Sequence, residues 1–246
     1  MTRPDKLIRA IVLIDGLDPR AVLPAAGPHP AFRDVNGTPA ADLLLRHLAR
    51  QGIAEVWLVS RALPGMVVHY FGDGSRWGVN ATHIRQDGAP GSGGALMAAR
   101  QQITESTLVI DGALVTDFQL AAMHDVHRSM DTDLTMCVSN EVNETAGLPR
   151  ARMDSSSRLV HEILVSPPFA EDENILCGIG IYIIEPEAVK PLQEAGVNAD
   201  WVTDILPALA QQGRVRGWQA ESGTRFHLPR RARVMHSQSG RALPSI

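Results

Sequence analysis

A glycine-rich run at residues 91–94 is the first feature of this sequence whose residue types suit binding chemistry. Gly91-Ser92-Gly93-Gly94 stands at the start of a predicted helix. Because glycine has no Cβ, such a run lets the backbone approach a bound ligand closely. The alternative is that the glycines only form a tight loop into the helix. The residues alone leave both interpretations open.

Two histidines form a second candidate constellation. His124 and His127 are spaced i, i+3 on a predicted helix, with Asp125 and Asp131 nearby. This spacing can bind a metal ion, but it is more typical of a solvated helix face, which is our prediction. No G-x-S-x-G elbow, Walker loop or zinc-finger spacing is present.

The elements that must position these residues alternate between strand and helix over the first half of the chain. Short β-branched runs predict strands at 7–14, 56–59, 79–84 and 107–110, and helices are predicted between and after them at 39–51, 64–71, 91–102 and 118–129. This alternation predicts an α/β fold with a mixed, mostly parallel doubly wound (Rossmann-like) sheet. Ligands of such sheets bind at the carboxyl ends of the strands.

The second half of the chain is predicted to be richer in strands. Strands are expected at 133–139, 158–165, 175–184 and 215–220, with one helix at 201–211. We treat residues 1–224 as one domain and residues 225–246 as a separate C-terminal tail. The tail has no acidic residue and five arginines, Arg225, Arg230, Arg231, Arg233 and Arg241. It is either a solvated extension or an arm that docks on an acidic surface of a neighbouring subunit.

Composition narrows the function classes. The formal net charge of −4 argues against a general nucleic-acid binder, which needs clustered Lys and Arg. No apolar run approaches the roughly 20 residues of a membrane span, and no secretory signal is evident. Cys137 and Cys177 are isolated and are expected to be reduced core residues of a cytoplasmic protein.

Five segments, in this order along the chain, resemble the sugar-1-phosphate nucleotidyltransferases. These enzymes join a nucleoside triphosphate to a sugar phosphate and release pyrophosphate. The resemblance spans roughly residues 7–224 and implies the nucleotidyltransferase type of sheet with a β-rich second half. The matching segments are VNGTP at 35–39, LARQGIAEV at 48–56, YFGDGSRWGV at 70–79, PGSGGAL at 90–96 and GIYIIEP at 180–186.

The resemblance places a phosphate-binding loop directly after the first strand. The family pattern G-x-G-T-R-L corresponds to residues 16–21, so Gly16 and Leu17 are implied nucleotide contacts. Asp18 replaces the second glycine and puts negative charge where a triphosphate would lie. Pro19 replaces the threonine and removes a backbone donor.

Arg20 is the remaining cation of this loop. The resemblance implies that it pairs with phosphate as a catalytic residue. The alternative is a salt bridge to the neighbouring Asp15 or Asp18.

Both lysines of the family pattern are absent. The activating lysine corresponds to His29, which replaces a fixed cation poorly because histidine is mostly neutral at pH 7. The sugar-phosphate lysine would fall within residues 165–168, where the sequence reads VSPP.

The metal-binding positions also differ from the family pattern. Magnesium prefers carboxylate oxygens, and the family aspartate that follows the fourth strand corresponds to Ala113. Asp111, two residues earlier, keeps the facing direction with a shift of about 6–7 Å. Glu221 stands near the second metal aspartate, with one extra residue of spacing. If the chain is active, the resemblance implies Mg²⁺ on Asp111 and Glu221, with Asp111 catalytic and Gly112 beside the nucleotide.

The base-and-sugar side departs less from the family pattern. Gln86 stands where family members often place a residue that reads the base edge. With it, Gly91, Ser92 and Gly93 are implied nucleotide- or sugar-binding residues.

Three hypotheses follow from these residues. The first is a catalytically impaired relative that binds a nucleotide or nucleotide-sugar, or that supports a partner enzyme. The second is an active but divergent nucleotidyltransferase that uses Mg²⁺. The third is a structural or assembly protein that binds no nucleotide and forms homo-oligomers through its second half and tail.

Overall fold

A computed structural model describes residues 6–16, 29–87, 91–141, 148–165, 175–195 and 199–227. Within these residues, nine strands form one continuous sheet. Two small ladders lie apart from it, one pairing Asp34–Val35 with Thr38–Pro39 and the other pairing Val115–Thr116 with Phe226–His227.

The first four strands of the sheet are all parallel. They lie in the order β3-β2-β1-β4, so that β1 is flanked by β2 and β4 and is buried along nearly all its length. Their bounds are β1 Arg9–Leu13, β2 Glu55–Ser60, β3 Asn80–Arg85 and β4 Thr107–Asp111. Because the strands are parallel, their carboxyl ends meet at one edge of the sheet.

The later strands extend the sheet through antiparallel pairing. The long strand β8 pairs antiparallel with β4 over its last residues, with β6 over its first residues, and with β5 on its other side. Strand β7 then pairs with β6, and β9 pairs parallel with β5. Their bounds are β5 Leu134–Ser139, β6 Pro149–Met153, β7 Val160–Val165, β8 Ile175–Ile184 and β9 Val215–Gln219.

Helices cover both faces of the sheet. One core packs α1, α2 and α4 against the sheet, and the other packs α3, α5 and α6 against the opposite face. Their bounds are α1 Ala40–Arg50, α2 Pro64–Phe71, α3 Gly91–Ala99, α4 Leu120–Ser129, α5 Lys190–Ala195 and α6 Leu206–Gln211. The prediction of a mixed, mostly parallel doubly wound α/β sheet is confirmed. No helix among the described residues has the length and apolarity needed to cross a bilayer.

Among the described strands of the main sheet and the helices that cover it, two elements are not predicted by the sequence patterns, and one differs in form. Strand β6 has the sequence PRARM, and its residues are alternately buried and half-buried. The pattern is not recognisable from the sequence because the strand contains a proline and two arginines. Helix α5 is short and follows a 3₁₀ turn at Pro186–Val189. The helix expected at 201–211 begins as a π-helical turn, Trp201–Ile205, before α6 continues it.

Candidate functional site

The candidate site lies at the carboxyl edge of the parallel strands. The segments that follow β1, β2, β3 and β4 bring Asp15, Arg61, Gln86 and Gly112 to this edge. It is the position at which open α/β sheets bind their ligands. Two parts of this edge have different chemistry, one around Asp15 and Asp111 and the other around Gln86 and the start of α3.

Asp15 is bonded through both carboxylate oxygens. Its Oδ1 lies 2.8 Å from Nε2 of His29. Its Oδ2 accepts hydrogen bonds from the backbone N–H of Arg61 at 2.6 Å and from that of Ala62 at 3.3 Å. One carboxylate therefore joins the segments that follow β1 and β2 to the residue that precedes the 3₁₀ turn at Pro30–Phe32.

His29, at the family's lysine position, is engaged at both ring nitrogens. Its Nδ1 accepts a hydrogen bond from the backbone N–H of Ala31 at 3.3 Å, so Nε2 is the ring atom that donates to Asp15. Only 3% of the side chain is exposed. His29 is thus a buried ring that is bonded to the segment after β1 and to the start of the following 3₁₀ turn.

Asp111 ends β4 as a buried residue, 2% exposed. Its Oδ1 accepts a hydrogen bond from the backbone N–H of Ala113 at 2.9 Å. Gly112 packs against the end of β1, since a Cβ there would lie 2.9 Å from both the Cα of Ile14 and the carbonyl oxygen of Leu13. The turn after β4 is therefore held tightly against β1.

Tyr182 of β8 lies beneath the same region. Burial raises the pKa of Tyr182, and the negative charges of Asp111 and Asp200 raise it further. Its ring packs edge-on against Trp201, with centroids 6.1 Å apart. Within the described residues, neither Tyr182 Oη nor Trp201 Nε1 has a hydrogen-bond partner, although both atoms are buried. Two buried polar atoms without a hydrogen-bond partner in the described part of the chain, Tyr182 Oη and Trp201 Nε1, therefore lie beneath this edge of the sheet.

Gln86 and Gly91 meet at the second part of the edge. Gln86 is 5% exposed, and its Nε2 donates to the carbonyl oxygen of Gly91 at 3.1 Å. Gly91 has a φ of 90°, a conformation that favours glycine. The structure therefore brings together these two predicted binding residues.

Ser92 and Gly93 contact the segment before the π-helical turn. Ser92 is fully buried, and its Oγ donates to Oδ2 of Asp200 at 2.7 Å. A Cβ on Gly93 would lie 1.8 Å from the carbonyl oxygen of Ala199. Close packing within the protein therefore requires the glycine at position 93, which supports the loop-forming interpretation at that residue.

Asp200 is a residue of this region that the motif comparison does not single out. Its Oδ1 accepts from the backbone N–H groups of Val202 and Thr203, at 2.8 and 3.0 Å, so it caps the following helix. Asp204 in turn accepts from the backbone N–H of Asp200 at 2.8 Å. An Asp directly before an apolar helical pattern is a usual N-cap signal, and it could have identified Asp200.

Glu221 is exposed in the turn after β9. That turn is held by Glu141, which accepts from Ser222 Oγ at 2.5 Å and from the backbone N–H of Gly223 at 2.8 Å. These hydrogen bonds lower the pKa of Glu141. Over the described ranges, no cluster of three or more His, Cys, Asp or Glu side chains has metal-site geometry.

Several predicted residues lie outside the described residues. They are Leu17 and Arg20 with the altered positions Asp18 and Pro19, residues 166–168, and the tail arginines Arg230, Arg231, Arg233 and Arg241. Gly16 is described and has a φ of 86°. Arg225, the first tail arginine, pairs with Asp117 of the same chain, 2.7 Å from Nε to Oδ2.

The prediction that His124 and His127 form a solvated helix face is wrong. Both are buried against the sheet. Nδ1 of His127 lies 2.8 Å from Thr135 Oγ1, and its Nε2 lies 2.9 Å from Oε1 of Glu185. Polar residues at helical spacing are misleading in this helix because it packs against β5, whose Thr135 bonds His127, and because Glu185 comes from a distant part of the chain.

Comparison with known proteins agrees with this architecture. The sequence model of the family described as nucleotidyl transferase matches residues 23–224. Mannose-1-phosphate guanylyltransferase of Mycobacterium tuberculosis is 26% identical over an alignment of 214 residues that covers 84% of this chain and 56% of that protein. Mannose-1-phosphate guanylyltransferase regulatory subunit alpha of Rattus norvegicus is 26% identical over 200 residues, 76% of this chain and 47% of that protein.

Solved structures share the fold at lower identity. HddC from Yersinia pseudotuberculosis complexed with GMP-PN superposes with a TM-score of 0.70 at 19% identity, over 90% of this chain and 93% of that one. UDP-glucose pyrophosphorylase from Acinetobacter baumanii gives a TM-score of 0.70 at 15% identity, over 91% of this chain and 88% of that one.

The chain spans about half the length of the curated relatives it matches. The match to the family model nevertheless extends from the residues after the first strand to the turn after β9. With the sheet order and the edge geometry described above, this match establishes that the chain belongs to the nucleotidyl transferase family.

Proposed function

We propose that this chain is a catalytically impaired sugar-1-phosphate nucleotidyltransferase relative that binds a nucleotide or nucleotide-sugar, or that supports a partner enzyme. The observation that carries the proposal is the bonding of Asp15 to His29 and to two backbone amides. This bonding supports the proposal because the resemblance puts His29 at the position of the activating lysine, and a histidine bonded to a carboxylate replaces that fixed cation poorly.

The carboxylate of Asp15 opposes triphosphate binding for an electrostatic reason. A triphosphate must be neutralised before its α-phosphoryl group can move, and the protein normally supplies cations and amide donors for this. At this edge the Arg61 and Ala62 amides already donate to Asp15. The carboxylate also repels phosphate, since like charges at close range destabilise one another.

The carboxylates present support the same proposal. Mg²⁺ would supply charge neutralisation for the triphosphate, and in this chain Asp111 and Glu221 are the residues proposed to hold it. Asp111 is buried and bonded to the Ala113 amide, whereas Glu221 is exposed in a turn. Magnesium prefers a near-octahedral set of oxygen ligands, and two carboxylates supply only part of such a set. Loss of several such groups together should nearly abolish turnover.

Ligand binding is supported by the other part of the edge. Gln86, Gly91, Ser92 and Gly93 lie together at the carboxyl end of β3 and the start of α3. A relative is named as a regulatory subunit of a guanylyltransferase, and this agrees with a binding or supporting role. The buried free thiols of Cys137 and Cys177 support a reducing, cytoplasmic location. We also propose that the chain forms homo-oligomers.

A pyrophosphate-release assay tests the proposal. The chain is incubated with Mg²⁺, each of GTP, UTP and dTTP, and mannose 1-phosphate or glucose 1-phosphate. We expect no release above the level without enzyme. Robust release that is lost in Asp111→Ala would overturn the proposal in favour of an active, divergent enzyme.

A second candidate is that active enzyme, favoured by the relative from Mycobacterium tuberculosis, whose name is that of a guanylyltransferase. In it, Arg20 would pair with phosphate, and Asp111 and Glu221 would hold Mg²⁺. The third hypothesis, a structural or assembly protein, predicts no thermal shift with any nucleotide or nucleotide-sugar. It also predicts assemblies that fail when Arg230, Arg231 and Arg233 are removed.

A further inference from the structure

The start of α3 is fixed by a residue more than 100 positions away in the sequence. Asp200 accepts a hydrogen bond from the fully buried hydroxyl of Ser92, 2.7 Å from Oγ to Oδ2. Its other oxygen caps the helix that follows it. We call the first turn of α3, Gly91–Gly93, the glycine-rich turn. A single carboxylate therefore joins this turn to the start of the π-helical turn.

The backbone contact beside this hydrogen bond is equally tight. The carbonyl oxygen of Ala199 occupies the space that a side chain on Gly93 would need. The backbone N–H of Asp200 is itself held by Asp204 at 2.8 Å. The segment at 199–200 is thus anchored from its own helix and presses on the first turn of α3.

The opposite side of the same turn is held by Gln86. Its Nε2 donates to the carbonyl oxygen of Gly91. The turn at Gly91–Gly93 therefore has two fixed points, one at Gln86 directly after β3 and one on the 199–205 segment. Removing either should let the turn move relative to the sheet edge.

We propose that Asp200 is the positioning residue for the ligand-binding turn Gly91–Gly93. It touches no ligand itself and acts through the Ser92 hydroxyl and the Ala199 carbonyl. This inference rests on the proposed function, because it assigns the turn to nucleotide or nucleotide-sugar binding. It goes beyond that function by naming the residue that sets the geometry of the turn.

Asp200→Asn is the central variant of the test. Asparagine caps helices about as well as aspartate, so the helix start at 201 should be kept. The charged acceptor of the Ser92 hydroxyl is lost, and hydrogen bonds to charged groups are the stronger ones. Ser106→Ala is the matched control, because Ser106 is also buried and its Oγ donates to a carboxylate, that of Glu185, at 2.6 Å.

Two measurements are made on the full chain. Amide hydrogen exchange is followed over residues 91–95, and dissociation constants are measured for GTP, UTP, dTTP, GDP-mannose, UDP-glucose and dTDP-glucose. In Asp200→Asn we expect faster exchange at 91–95, and affinity about ten-fold weaker for each ligand that the wild type binds. In Ser106→Ala we expect both to match the wild type, even though its melting temperature falls.

The outcomes separate the two claims. If the wild type binds none of the six compounds, the ligand-binding part of the proposed function is wrong and, with it, the ligand-binding role of the turn. Exchange at 91–95 would then still show whether Asp200 holds the turn. If the wild type binds and Asp200→Asn changes neither exchange nor affinity, the positioning role is wrong while the proposed function stands. A Ser92→Ala, Asp200→Asn double variant whose effects simply add would also contradict the coupling.

Discussion

The two parts of the sheet edge satisfy their polar groups in different ways. Around β1 and β4, the charged side chains of Asp15 and Asp111 bond to backbone amides and to a histidine of the chain itself. Around β3 and α3, the neutral side chains of Gln86 and Ser92 hold a glycine-rich turn in place. The difference shows that carboxylates at one part of a sheet edge can be bonded within the fold, while neutral side chains at another part fix the backbone of a helix start.

A residue that the resemblance implies as a binding residue can also have a second explanation. Gly93 is such a residue, and the fold itself requires a glycine there because Ala199 leaves no room for a Cβ. His29 departs from the pattern, yet it is well packed and bonded. The contribution of such a residue to the free energy of unfolding and its contribution to ligand affinity must therefore be measured separately.

The largest effect is expected for Gly93→Ala. The added methyl group would meet a backbone carbonyl, which cannot rotate away as a side chain could. Overpacking of this kind should lower the free energy of unfolding by about 3 kcal/mol in urea denaturation. Gly65→Ala is the matched control, because a Cβ there meets nothing within 4 Å and alanine favours the helix. Equal stability of the two variants would contradict the close contact.

A smaller loss is expected for Asp15→Ala, which tests the β1 part of the edge. The change leaves the buried Nε2 of His29 and two backbone amides without their acceptor. We expect the free energy of unfolding to fall by about 2 kcal/mol. Asp87→Ala, which removes an exposed ion pair with Arg85, should leave stability nearly unchanged. If Asp15→Ala is as stable as the wild type, the carboxylate does not hold this edge together.

A third prediction concerns acid sensitivity away from both parts of the edge. Burial lowers the pKa of His124 below its ordinary value of 6.5, and the neighbouring charges of His127 and Arg128 lower it further. The unfolded chain therefore binds more protons than the folded chain as pH falls through 6.5, and the free energy of unfolding should decrease below that pH. In His124→Leu the decrease between pH 7 and pH 5 should be shallower. An unchanged slope would show that other groups cause the acid sensitivity.

The smallest effect is expected at the two thiols. Burial raises the pKa of Cys137 and of Cys177, so little reactive thiolate is present in the folded chain. Iodoacetamide at pH 8 should label neither cysteine in the native protein and both in denaturant, as read by mass spectrometry. Rapid native labelling would mean that the sheet around β5 and β8 opens.

Most of the architecture follows from local sequence patterns. Strands such as Ile175–Ile184 and helices such as Pro64–Phe71 have the bounds that those patterns predict, because apolar periodicity and Gly or Pro boundaries are local signals. Strand β6 could not be predicted, since its stability comes from pairing with β7 and β8 rather than from its own residues.

The site was less predictable, because its contacts join distant parts of the chain. Gln86 and Gly91 are near in sequence, and their association could be expected. The hydrogen bond between Ser92 and Asp200, 108 residues apart, depends on how α3 packs against the 199–205 segment. The burial of His127 could not be predicted for the same reason, because its partner Glu185 lies 58 residues away along the chain. The roles assigned to Asp111 and Glu221 remain predictions.

The claim that this chain binds a ligand without transfer chemistry is tested most directly by calorimetric titration with the six nucleotides and nucleotide-sugars, in Mg²⁺ and again in EDTA. We expect binding of at least one compound with the same dissociation constant in both conditions, and unchanged binding in Asp111→Ala. Binding that requires Mg²⁺ and disappears in Asp111→Ala would contradict the claim.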